Sequence, residues 1–293
     1  MTADRKKGIL SASAGSIFWG SSGIAGQFLL INENIAPEWL TFFRLLCAGF
    51  LLLLLSHFLK GNISAIWKDR RDRRALLIFS AFGMLGTQYG YFASIRCSNA
   101  PTATILEYLM PILIIFWYCL SEKRWPRMVE IFCALFAITG TALIATGGDF
   151  RSLSISGKAL FWGLLSALAC ALYTVEPVGI IKKYGAPLVV GWGMFLASFV
   201  LLPVVALTPF TGTVDMPVLL SFAYVVLFGT ICSFVLYLGS VAYILPTEAS
   251  IISAIEPLSS IIFSFLIFHL TFGFWELMGM ALIILAVAVV ARK

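Results

Sequence analysis

The sequence predicts an all-α integral membrane protein of ten transmembrane helices, built as two inverted five-helix repeats. Three observations carry this. Hydrophobic residues make up 60% of the chain against only 12% charged, and the mean hydropathy of +0.98 excludes an ordinary soluble domain. At roughly 20 residues per span plus short loops, the 293 residues accommodate about ten helices. Sliding one half over the other by 146 residues puts Pro111 on Pro257, Glu107 on Ser253, Met110 on Glu256 and Gly83 on Gly229. Each half then holds five spans, an odd number, so the second half enters the membrane from the opposite side.

The apolar runs place spans over residues 8–31, 37–59, 74–95, 100–120, 126–146, 157–181, 186–207, 217–243, 247–268 and 274–291. Residues 1–146 form the first repeat, 147–156 a Gly- and Ser-rich linker, and 157–293 the second repeat. The basic start, Arg5-Lys6-Lys7, precedes an apolar run longer than a signal peptide's, so it opens a retained first helix. In that helix Gly15, Trp19, Ser22 and Gly26 recur at helical spacing and give a small, partly polar face. Such a face is equally a packing seam between helices or the wall of a cavity. Trp19 and Gln27 are its members best placed to meet a ligand.

In the second span Arg44 lies about two turns from the start, which is costly unless it pairs or snorkels. Pairing with a carboxylate or carbonyl to lock two helices is the favoured reading over solute contact. The third span groups Thr87, Gln88, Tyr89 and Tyr91, and its counterpart in the eighth holds Ser233, Phe234 and Tyr237. Tyr89 and Tyr91 are also plausible interfacial belt residues. In the fourth span Pro111 removes a backbone donor and is expected to free the carbonyl of Glu107. In the sixth, Tyr173 and Glu176 lie about one turn apart, with Glu176 near Lys182 and Lys183 as an expected interfacial ion pair.

The ninth span is the one around which the reading turns. Glu248 sits in its first turn, where the helix dipole favours a carboxylate. Glu256 directly precedes Pro257, which is expected to kink the helix and free the carbonyl of Ser253. An ionisable group within a span is a functional candidate by default. At 100° per residue, Ala249, Ser253, Glu256, Ser260 and Ser264 share one face, and Thr104, Glu107, Pro111 and Tyr118 share a face of the fourth span. Two polar faces in equivalent helices point to one shared cavity near the midplane, with Tyr89, Tyr108, Trp19, Tyr173 and Tyr237 as an aromatic wall.

The net charge of +6 is an orientation signal rather than a sign of a nucleic-acid partner. With the amino terminus cytoplasmic, sixteen of the twenty Lys and Arg residues fall on the inside and three outside, Arg44 lying within a span. Both termini are therefore expected in the cytoplasm, and the KDRRDRR loop beside anionic membrane lipid. The six cysteines form no CxxC pattern, and His57 and His269 stand alone, so neither a disulfide framework, a metal site nor a cofactor is expected. No enzyme motif appears in a strand-to-helix context.

WGSSGIAGQF, TFFRLLCAG, PTATILEYLMP, VVGWGMFLASFVLLP and TEASIISAIEPLSSIIFSFLIF resemble the EamA-type branch of the drug/metabolite transporter superfamily, over essentially the whole chain. The resemblance implies a ten-helix exporter or permease of a bacterial plasma membrane that moves amino acids, related metabolites or drugs. One departure is that the family's Glu near the end of the fourth helix is present as Glu122, whereas Phe268 occupies the matching place in the second half. The expected mechanism is secondary transport by alternating access. Glu107 and Glu256 would bind the amine of a solute or take up a proton as it leaves, with Gln88, Ser253 and the aromatic wall completing the site. A passive channel or structural membrane subunit is the alternative.

Overall fold

A bilayer core offers no water to exposed backbone groups, so each apolar run must pair its own amides and carbonyls by coiling into a helix. The computed structural model describes residues 3–59, 62–149, 154–240, 243–244 and 252–291, and among these there is no strand. The first half consists of α1 (Ala3–Gln27), α2 (Pro37–Phe58), α3 (Arg70–Ile78), α4 (Leu85–Cys97), α5 (Ala100–Glu107), α6 (Met110–Ser121) and α7 (Met128–Thr146). The second half consists of α8 (Gly157–Val175), α9 (Val178–Tyr184), α10 (Ala186–Leu207), α11 (Met216–Val226), α12 (Ser233–Ser240), α13 (Ile255–Phe268) and α14 (Phe274–Ala291). Among the described residues, seven helical stretches are long and apolar enough to cross a membrane, and Ile255–Phe268 and Phe274–Val289 are apolar but shorter. Residues 70–97 are also continuously helical, with a charged first turn. Of the expected ninth span, Thr247, Glu248 and Ala249 lie outside the described residues, as do residues 150–153 of the expected linker.

Several ends are set by side chains that accept the unpaired amides of a first turn. Asp69 accepts from the Arg71 and Asp72 amides, so the third helix begins at Arg70 rather than at the expected residue 74. Asn99, Ser156 and Asp215 do the same for α5, α8 and α11. At the same end of the bundle as Lys182, Asp72 Oδ2 accepts from Lys183 Nζ at 2.5 Å and from the Tyr184 hydroxyl at 2.7 Å. Those two donors hold the Asp72 carboxyl below its ordinary range. The expected partnership of Lys183 with Glu176 is thus replaced by one with Asp72. Pro177 ends α8 just beyond Glu176, which divides the sixth span in two.

Close packing in lipid requires small residues at the crossings. A Cβ on Gly49 of α2 would stand 2.5 Å from the Phe195 amide of α10, and one on Gly140 of α7 would stand 2.6 Å from the Gly279 carbonyl of α14. Two π-helical turns, Phe79–Met84 and Leu227–Cys232, join α3 to α4 and α11 to α12. They contain Gly83 and Gly229, the pair superposed by the internal repeat. Gly83 meets Tyr173 of α8, and Gly229 meets Ser22 of α1, where a Cβ would lie 2.2 Å from that of the serine.

The fourth helix is interrupted rather than kinked at its proline, and in the ninth span a turn stands directly before the helix that carries Pro257. Tyr108 and Leu109 form a turn between α5 and α6, and Ser253 and Ala254 form one before α13. Pro111 and Pro257 then fall in the first turn of the following helix, where a proline's missing amide has no intrahelical partner to lose. One consequence corrects the sequence expectation: the carbonyl of Ser253 is not free, because it accepts from the Glu256 amide at 2.9 Å.

Candidate functional site

The two turns meet. The Tyr108 hydroxyl, in the turn after α5, donates to Ser253 Oγ at 2.8 Å in the turn before α13. Around this junction lies a cavity of about 460 Å³ lined from both halves of the chain. Its lining extends from Trp19 in α1 to Pro177, Ile181 and Val190, at the end of the bundle that carries Lys182 and Lys183. A volume of this size falls within the range of small-molecule sites.

Of the residues singled out in the sequence, Trp19, Gln88, Glu107, Tyr108, Tyr173, Tyr237, Ser253 and Glu256 line this one cavity. Trp19 packs against Tyr237, with ring centroids 5.1 Å apart, and edge-on to Phe234 at 5.4 Å. Tyr173 stacks on Phe79 at 5.5 Å. These contacts fix the rings as walls in the geometry that aromatic quadrupoles favour. Glu107 Oε2 accepts from the Ser166 hydroxyl of α8. The carboxylate of Glu256 has no hydrogen-bond or ion-pair partner among the described residues, and it faces the same space.

Gln27 and Tyr89 lie elsewhere. Gln27 is buried with its Oε1 accepting from the Ala100 amide at 2.7 Å, which caps the start of α5. Tyr89 donates to Glu38 Oε1 at 2.8 Å and packs edge-on to Trp162. Tyr91 takes its place in the lining, its hydroxyl 3.0 Å from Thr104 Oγ1. Ser260 and Ser264 share the predicted face with Glu256 but are buried outside the cavity, their hydroxyls without partners among the described residues. Tyr118, assigned to the cavity face of the fourth span, is exposed. Arg44 and Thr87, by contrast, belong to the lining.

The model of the EamA-like transporter family matches the chain twice, over residues 6–146 and 157–292. The chain belongs to this family. The matches leave only the segment around residues 147–156 uncovered between them, so the family's unit is present in two copies. Among its relatives is the uncharacterized inner membrane transporter YicL of Salmonella typhimurium, 38% identical over 98% of this chain and 95% of that protein. The uncharacterized transporter YdeK of Bacillus subtilis is 25% identical over 93% of each chain. The chloroplastic WAT1-related protein At3g02690 of Arabidopsis thaliana is 25% identical over 98% of this chain and 72% of its own. One solved crystal structure superposes with a TM-score of 0.64 over 97% of this chain and 96% of its own at 16% identity, a likeness of fold alone. Membership of the family and the apolar helices make the protein a multi-pass membrane transporter.

Proposed function

We propose that the protein is a secondary transporter of small amine-containing solutes, amino acids and related metabolites or drugs among them, working by alternating access of the cavity between its two repeats. One observation carries the reading. Glu256, a carboxylate without a partner among the described residues, shares an aromatic-walled cavity with Glu107, at the place where two equivalent spans each carry a turn ahead of a proline. A solute ammonium group supplies the missing partner, and the rings add cation-to-ring contacts of about 0.5–2 kcal/mol. When the solute leaves, a proton is able to take its place on the carboxylate, which couples solute movement to a proton gradient. Interrupted helices paired across two repeats of opposite orientation are the general design of such carriers.

The distribution of basic residues supports ten helices with both termini in the cytoplasm of a bacterial cell, the protein residing in the plasma membrane. The cavity then reaches toward the cytoplasmic side. In proteoliposomes, uptake from a panel of amino acids and cationic metabolites is expected to saturate and to change with an imposed pH gradient. Flux that rises linearly with concentration and ignores the gradient would indicate a passive pore and contradict the proposal.

A further inference from the structure

Arg44 has a charge that its contacts within the protein do not explain. The residue is 6% exposed, yet no carboxylate lies within ion-pair distance of its side chain among the described residues. Its Nε donates to Thr230 Oγ1 at 3.0 Å, and one hydrogen of Nη2 goes to the Gly229 carbonyl at 3.3 Å. Thr230 in turn donates to the Val225 carbonyl at 3.0 Å, which leaves its oxygen lone pairs for the arginine. Phe92 lies under the guanidinium, 5.2 Å from ring centroid to Cζ. One hydroxyl and one carbonyl are acceptors that a neutral amide would satisfy equally well, so locking α2 to the π turn of Leu227–Cys232 does not require a cation.

These contacts hold the group from one edge and one face. A guanidinium carries five N–H donors. The two hydrogens of Nη1 and the second of Nη2 have no acceptor among the described residues, and one from each nitrogen makes the end-on fork. Arg44 lines the cavity that holds Glu107 and Glu256, and so does Thr87, whose buried hydroxyl is also unpartnered among the described residues. An arginine fork fixed in orientation is suited to a planar oxyanion, which it binds through two parallel hydrogen bonds. Glu107 and Glu256 act on this cation only across the cavity, without direct contact, and a buried charge with no ion pair is costly until such a group arrives.

Building on the transporter reading above, we propose that Arg44 is a solute-binding residue that receives a carboxylate, so that the cargo is dipolar. Its cationic end meets Glu256 and Glu107, and its anionic end meets the Arg44 fork and the Thr87 hydroxyl. A purely cationic solute leaves the guanidinium unpaired, and a purely anionic one leaves both glutamates unpaired. The arrangement therefore selects molecules that carry both charges.

Three probes of one size test this: phenylalanine, its decarboxylated amine 2-phenylethylamine, and its deaminated acid 3-phenylpropionate. Their dissociation constants are measured by calorimetry on purified full-length protein in detergent, for wild type, Arg44→Gln, Arg44→Lys and Glu256→Gln. Wild type is expected to bind the amino acid most tightly. Arg44→Gln is expected to weaken the amino acid by roughly tenfold or more, the scale of a lost hydrogen bond to a charged group, while the amine binds as before or tighter once the neighbouring cation is gone. Arg44→Lys keeps the charge without the fork and is expected to fall between. The ratio of amino acid to amine within one variant does not depend on the folded fraction. An unchanged ratio in Arg44→Gln and Arg44→Lys, or equal loss of both ligands, would overturn the role of Arg44. Wild type preferring the amine would overturn it too, while an effect of Glu256→Gln on the amine would leave the transporter reading standing. Binding of none of the three probes by wild type would overturn both.

Discussion

Glu256→Gln is expected to lower solute flux in proteoliposomes roughly tenfold or more, the consequence of removing a charge-assisted hydrogen bond from a buried site. The substitution preserves size and leaves Pro257 and the turn at Ser253–Ala254 in place, so the fold provides no separate reason for a loss. Glu107→Gln is expected to have the smaller effect. One oxygen of Glu107 already accepts from Ser166, whereas the Glu256 carboxylate has no partner among the described residues. The check is initial flux at subsaturating solute, normalised to the amount of protein incorporated. Equal flux for Glu256→Gln and wild type would reduce that carboxylate to a neighbour of the interruption.

The second large effect is expected at a crossing. Gly20 of α1 lies against the start of α13, where an added Cβ would stand 2.4 Å from the Glu256 carbonyl and 2.1 Å from Ser259 Oγ. The serine side chain is able to rotate away, but the carbonyl belongs to the backbone of the first turn and is not. Gly20→Val must therefore push α1 off α13, which shifts Trp19 in the cavity wall. Overpacking of this kind costs about 1–3 kcal/mol, and a change at the upper end corresponds to a fall of about 5 °C or more in the unfolding midpoint. Thermal unfolding of the purified protein in detergent measures it. A midpoint within about 1 °C of wild type would show that α1 and α13 are not in this close contact.

The bundle and the position of the cavity were legible because both arise from residues with few alternatives. Apolar runs of this length must coil, and a proline beyond the first turn, as Pro111 and Pro257 are in their spans, costs a backbone hydrogen bond and kinks or breaks the helix. The carboxylate beside the second proline marked the spot. Faces were harder to assign, for two physical reasons. In a bilayer the lipid-facing and buried surfaces of a helix are both apolar, so periodicity does not tell inside from outside. Tyr118 and Ser264 were both placed on the cavity side, and one is exposed while the other is buried against its neighbours.

The second reason is the π turn of Phe79–Met84, which inserts an extra residue ahead of α4 and rotates the side chains of α4 relative to a uniform helix. Tyr89 and Tyr91 cannot be told apart without it, and Tyr91 is the one in the lining. Gln27 was read as a ligand residue; that it caps α5 was not legible, because its partner, the Ala100 amide, is distant in sequence and becomes an unpaired donor only once α5 has a defined start. Arg44 was read as a lock between helices. It is bonded across them as expected, but the open fork depends on the π turn at Gly229, which no periodicity announces.

If solute occupies the cavity between the two repeats, native Cys170 reports it most directly. Its thiol lines that cavity, 3.5 Å from Met110 Sδ. The measurement is the rate at which a small membrane-permeant maleimide modifies Cys170, followed by mass spectrometry of the peptide that contains it, with and without a transported solute. Saturating solute is expected to slow modification of Cys170 in a concentration-dependent manner and to leave Cys47 unaffected. A Cys170 rate unchanged at solute concentrations that saturate flux would place the solute elsewhere and contradict its binding between the repeats.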